Sequence, residues 1–173
     1  IEVTTAEEIH VVCLFPTLPD AQAAGEETEA SLLPVENNPD IFGHQLIMGP
    51  QEEPLGQLSK LLINATSLSI DDMPAFARRY HGIAIPAHID RPSNSVFANL
   101  GYFPDYLDFP FAEVWNPETF FADGKHQDIR DRCLILKDSD AHRLESLKEG
   151  GPCPWPEHPL DSPQQLLDLL FGQ

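Results

Sequence analysis

The segment Ile9-His10-Val11-Val12-Cys13-Leu14-Phe15 is apolar and rich in β-branched residues, and Pro16 closes it. Such a run predicts a largely buried strand. Ile1-Glu2-Val3 reads as the end of an earlier strand, and the chain opens there without a methionine, which suggests a fragment. Residues 20–33 have alanine-rich helical character. From Pro34 to about Ile63 the periodicity fades into Pro, Gly, Asn and Glu. That composition predicts a peripheral insertion over 34–63, with a short hairpin pairing Gln45–Met48 with Lys60–Ile63. Ser69 is a good N-cap, with Asp71 and Asp72 in the first turn, where the helix dipole favours anions. The helix it opens should run to Tyr80 or His81, with Gly82 as its stop.

Further along, Ile83-Ala84-Ile85-Pro86 is a short buried strand that ends at Ala87-His88. Ser95–Leu100 reads as a short helix closed by Gly101, and Ala112–Trp115 as a strand. Cys133-Leu134-Ile135-Leu136 is another strand, ending at Asp138-Ser139-Asp140-Ala141-His142. Ser162-Pro163-Gln164-Gln165 carries a cap, a first-turn proline and a glutamine at the third helical position, so it opens a closing helix to Leu170. Helices alternate with short strands that are apolar on both faces. The class is therefore α/β, with a parallel sheet wrapped by helices in a single domain over 1–173. Polar residues follow the strands at 83–86 and 133–136, the carboxyl edge where such folds build their sites.

Charge narrows the function. With 28 acidic and 10 basic residues the formal net charge is −18. That balance argues against binding a nucleic-acid duplex, which needs clustered Lys and Arg, and against docking on an anionic membrane. No apolar run reaches the roughly 20 residues of a membrane span, and no leader peptide opens the chain. The 42% hydrophobic content suffices for a core, and 17 prolines point to many irregular loops. Three scattered cysteines (Cys13, Cys133 and Cys153) suit a reducing, cytoplasmic setting better than a disulfide framework.

Asp140-Ala141-His142 is the sharpest local signal, because an Asp and a His two apart at a strand end can face one cavity and suit a divalent metal. An Asx turn with a surface histidine explains the same residues equally well. His88, just past a buried strand, is placed for metal binding or acid–base work, although a core histidine bonded to a carbonyl is the commoner case. His10 lies inside an apolar strand, and burying it requires a metal or a carboxylate partner. Glu2 gains interest only through its relation to these. Arg91, close behind His88, can grip an oxyanion in bidentate fashion, or simply form a surface ion pair. His44, His81, His126 and His158 read as solvated.

Taken together, IEVTTAEEIHVVCLF, LLINATSLSIDD, GIAIPAHIDRPSNSV, LGYFP, AEVWN and ILKDSDAHRLESL resemble, in this order, the PHP family of metal-dependent phosphoesterases (polymerase and histidinol phosphatase domains). The likeness covers most of residues 1–147 and is similar to the stand-alone bacterial members. It implies part of a distorted, TIM-like, seven-stranded β/α barrel, with two or three metal ions at the carboxyl ends of its strands. By this resemblance Glu2 matches the carboxylate bridging two metals, and His10 the histidine of the next strand. His88 matches the AHID histidine, Asp140 the aspartate completing the first metal, and His142 a ligand of a third. Zinc, manganese or iron would suit such a mixed set. The family's His-x-His strand has no counterpart here. The resemblance therefore implies that N-terminal β/α units precede Ile1, and that these units or a second chain cover the open barrel flank. The piece shown should then hydrolyse little by itself.

The implied activity is hydrolysis of a small phosphate ester by a metal-activated water, with Arg91 orienting the phosphate. Two other readings compete. One is a non-catalytic remnant of the fold acting as a regulatory or protein-binding module through the 34–63 segment. The other is a hydrolase of carbon–nitrogen bonds resembling the amidohydrolases, which lacks its strand-end lysine here.

Overall fold

A computed structural model describes residues 1–137, 139–147 and 161–171. Strands β1 (Glu2–Thr4) and β2 (His10–Leu14) form a hairpin. Its turn is built by Thr5, which is fully buried. Thr5 N–H donates to Ile9 O at 2.9 Å and its Oγ1 accepts from Ile9 N–H at 3.3 Å. Helix α1 (Leu18–Ser31) starts at the Thr17 cap, two residues before the alanine-rich run suggests, because Thr17 and Pro19 supply the start chemistry. The short helix α2 (Pro39–Phe42) follows, and then a hairpin of β3 (Leu46–Met48) and β4 (Pro54–Gln57).

Ser69 and Asp72 form a reciprocal capping box over a 3₁₀ turn that leads into α3 (Met73–Arg79). Strand β5 (Ile83–Pro86) and helix α4 (Val96–Leu100) come next, with Ser95 as cap and left-handed Gly101 (φ 81°) as stop. The remaining elements are β6 (Phe111–Glu113), α5 (Pro117–Phe120), α6 (Gln127–Arg132), β7 (Leu134–Leu136) and α7 (Pro163–Phe171).

The sheet corrects the parallel expectation. The order β1-β2-β5 is antiparallel throughout, and among the described residues only β6 and β7 pair in parallel. A connection of five residues between β1 and β2 is too short for a crossover, which needs about a dozen. Both-face burial of β5 reads the same way in either orientation. Among the described residues none of the sheets closes into a barrel. The two main pieces meet where Ile89 N–H donates to Glu113 O at 2.9 Å, joining the end of β5 to the end of β6.

Two further expectations change. The hairpin partner of β3 is 54–57 rather than 60–63, since Gly49 N–H and Glu53 O close the turn at 2.8 Å. The left-handed residue ending α3 is His81 (φ 59°), not Gly82. Gly82 is required for another reason: a Cβ there would lie 2.4 Å from Leu14 O, where the chain passes against β2.

The core lies between the sheet and α3, with Val3, Ile9, Val11, Cys13, Met73, Phe76 and Ile89 buried. On a second cluster, Leu167 of α7 packs with Ile83, Ile85 and Phe111. Between 34 and 63 the large apolar side chains Ile41, Phe42, Ile47, Met48 and Leu55 are exposed. Among the described residues no helix is long and apolar enough to cross a membrane. Cys13 and Cys133 are buried free thiols, and burial pushes the Cys13 thiol up to about 12. Cys153 and His158 lie outside the described residues.

Candidate metal centre

The β1–β2 register decides the first half of the site. Glu2 stands opposite Val12 and Thr4 opposite His10, so Glu2 and His10 are diagonal neighbours on one face of the hairpin. Their alternating partners Val3, Val11 and Cys13 point into the core. The β2–β5 register supplies the other half. Val11 pairs with Pro86, and Ala87 N–H donates to His10 O at 3.0 Å, which delivers the next residue, His88, beside His10. His88 takes a positive φ of 31° in the turn that closes with Arg91 N–H donating to its carbonyl at 2.9 Å. An imidazole held in a sparsely populated backbone conformation is a common feature of functional sites.

The three side chains meet. His10 Nδ1 lies 3.3 Å and His88 Nε2 3.7 Å from Glu2 Oε1, and the two rings stand edge-on with centroids 5.4 Å apart. One ligand atom from each of Glu2, His10 and His88 falls within 4.8 Å of the others. His88 is buried, His10 half-buried and Glu2 open to solvent on one side. Among the described residues His88 Nδ1 is buried with no hydrogen-bond partner. Two imidazoles and a carboxylate around one point are a donor set of the kind that zinc, manganese or iron accepts.

Charge follows the geometry. Hydrogen bonding to His10 and then His88 outweighs the cost of burial and holds the Glu2 carboxyl well below the usual carboxylate range. For His88, burial pulls the imidazole down. The Glu2 hydrogen bond and the negative charges of Glu113, Asp140 and Glu2 outweigh it, and the group titrates above its ordinary value. An ion bound here must displace that proton, and a raised pKa keeps the proton in place to higher pH. Divalent-metal affinity is therefore expected to weaken as pH falls from 8 to 6, by about tenfold per unit for each displaced proton once below the pKa. Competition against a chromophoric chelator measures this, and an affinity flat across that range would remove His88 from the ligand set.

Asp140 and His142 lie beside this cluster rather than in it. Asp140 Oδ2 pairs with Arg91 at 3.0 Å, and its charge acts on His88. His142 is largely exposed, with Nδ1 at 2.9 Å from Asp140 O and 3.7 Å from Asp140 Oδ1. Asp140, like His88, has a positive φ (45°). Arg91 is thus held by Asp140 and lies over the Trp115 ring at 4.8 Å.

Of the histidines read as solvated, His44 is exposed and His81 pairs with Asp20 at 3.0 Å. His126 departs from that reading. It stacks on Phe120 with centroids 4.3 Å apart and meets Phe97 edge-on, because the turn before α6 folds it back onto aromatic neighbours.

Two residues near the site were missed by the sequence reading. Glu113 is buried at the end of β6 and contributes its charge to His88. Asp90 accepts backbone N–H groups of Trp115 at 2.7 Å and Asn116 at 2.8 Å, locking the β6 exit beside the His88 turn. A strand-end acid within Phe-Ala-Glu-Val-Trp was the available hint for Glu113. Nothing local distinguished Asp90 from a turn aspartate.

Comparison with known proteins agrees with the fold. The structure is similar to the crystal structure of the lesion-specific endonuclease PfuEndoQ from Pyrococcus furiosus, with a TM-score of 0.55 and 19% identity. The match covers 82% of this chain and 30% of that chain, so the chain spans about a third of the length of the protein it matches. The likeness supports a PHP-like fold. No protein-family model and no curated protein matches the sequence.

Proposed function

We propose that this chain carries part of the centre of a metal-dependent phosphoesterase, which hydrolyses a small phosphate ester with a metal-activated water. The observation that supports it most is the convergence of Glu2, His10 and His88, drawn from three strand ends, on one point. The mixed His and carboxylate donors fit a divalent ion of the zinc, manganese or iron type. Two or three ions bound in the full site would supply a water of lowered pKa and positive charge against the phosphate oxygens.

The residues themselves have separable tasks in this reading. Glu2, whose carboxyl stays ionised far below neutral pH, provides the anionic donor between the two imidazoles. His10 and His88 are fixed by the β2 register and the His88 turn, so little reorganisation is needed when they act as ligands. Arg91 binds a substrate phosphate oxygen, and Asp140 holds the guanidinium in place until it does. In the full site Asp140 and His142 extend the ligand set. A net charge of −18 favours a small ester over a nucleic-acid duplex, and the bound ions supply the positive potential that the chain lacks.

The test is phosphate release by the full-length protein from a panel of phosphomonoesters, with and without added manganese or zinc. Metal-dependent release is expected, and Asp140→Ala should reduce turnover by at least about 10–100-fold, the range typical for groups that orient a metal site. The fold should survive, since Asp140 lies at a strand exit and not in the core. If the full-length protein releases no phosphate with metal, or if the variant keeps its rate, the reading fails.

A further inference from the structure

Trp115 is a large apolar side chain left 46% exposed, two residues past Glu113, whose carbonyl accepts from Ile89 next to His88. Its backbone is fixed: Asp90 accepts from the N–H groups of Trp115 and of the next residue, at 2.7 and 2.8 Å. Arg91, adjacent to that aspartate, lies over the indole at 4.8 Å and is held from its other side by Asp140 at 3.0 Å. The turn from His88 to Arg91, the Arg91–Asp140 ion pair and the Arg91–Trp115 contact link the indole to the His88 end of the cluster. The Arg91 Nε is buried without a hydrogen-bond partner among the described residues, so the guanidinium has not spent all its donors. A fixed, exposed indole beside a cation is a platform for a flat ring attached to a phosphate. The ring stacks on the open part of the indole while the phosphate lies toward Arg91 and the cluster.

We infer that Trp115 is a specificity-determining residue that selects phosphate esters carrying a flat aromatic or heteroaromatic ring over esters that lack one. This rests on the phosphoesterase reading for its catalytic arm but not for its binding arm. The ring-bearing and ring-free probes are AMP and ribose 5-phosphate, which share phosphate, leaving group and sugar and differ by the base.

In the first arm the full-length protein, supplied with manganese, is assayed on both esters. kcat/KM is expected to be about tenfold or more higher for AMP, in line with the contribution of one base stacking on an aromatic side chain. Trp115→Ala should remove most of that preference by lowering the AMP value, whereas Trp115→Phe should keep most of it. In the second arm Trp155, the other tryptophan of the sequence, is replaced by Phe so that Trp115 alone reports fluorescence. AMP should quench that fluorescence saturably without added metal, and ribose 5-phosphate should not. Equal kcat/KM for the two esters, or a Trp115→Ala effect of the same size on both, overturns the inference. If neither ester is hydrolysed, the phosphoesterase reading fails, and the quenching arm alone decides this one: quenching by AMP only supports it, and no quenching or equal quenching by both refutes it.

Discussion

Replacing Glu2 with glutamine is expected to lower divalent-metal affinity by about 100-fold or more while leaving the secondary structure unchanged. Glu2 Oε1 is the atom both imidazoles approach, at 3.3 Å from His10 and 3.7 Å from His88. The amide keeps the side-chain volume but removes the negative charge and turns one oxygen into a donor, which faces nitrogens that need to be free for a metal. Losing a group that merely orients a ligand already costs 10–100-fold, so losing a charged donor should cost at least the upper end. The fold should tolerate the change because Glu2 is an exposed position on a hairpin edge, where an ion pair contributes little to stability. Isothermal titration with manganese or zinc, paired with circular dichroism, separates the two effects. Unchanged affinity in the variant would show that Glu2 is not a ligand.

The second large effect is structural. Phe76→Ala should destabilise the protein by about 3–5 kcal/mol, the usual cost of truncating a fully buried phenylalanine. Phe76 is 1% exposed on α3, packs in the cluster that includes Val11, Cys13 and Ile89, and meets Tyr80 edge-on at 5.7 Å. For a chain of this length that loss lowers the melting temperature on the order of 10 °C. Because α3 lies under β2 and β5, the strands that carry His10 and lead to His88, metal affinity should weaken together with stability. Chemical denaturation measures the first quantity. A loss below about 1 kcal/mol would mean that this helix does not anchor the sheet.

Element identity was legible where capping chemistry and apolar runs agreed. Ser69 and Ser95 cap as the sequence indicates, and β2, β5 and β7 fall on their β-branched runs within a residue or two. Strand direction was not legible from burial, because a strand covered on both faces has the same composition in a parallel or an antiparallel sheet. The five-residue link between β1 and β2 did carry that information. Helices α2, α5 and α6 escaped because each is four to six residues long, too short to show a helical period.

At the site, His10 and His88 could be suspected one by one, as histidines in or after apolar strands. That they meet at Glu2 depends on two cross-strand registers, one inside the β1–β2 hairpin and one between β2 and the distant β5, and no local pattern encodes the second. The resemblance to a known family supplied that link. The Asp90 clamp and the placement of Trp115 depend on the β5–β6 junction and were visible only in three dimensions.

The position of a bound metal ion tests the Glu2–His10–His88 centre most directly. Crystals of the full-length protein grown with zinc or manganese, measured at the absorption edge of that metal, locate it by anomalous scattering. A peak is expected within about 2.0–2.3 Å of a Glu2 oxygen and of one nitrogen from each of His10 and His88. An ordered Glu2, His10 and His88 with no anomalous peak between them, at saturating metal, would contradict a metal centre there.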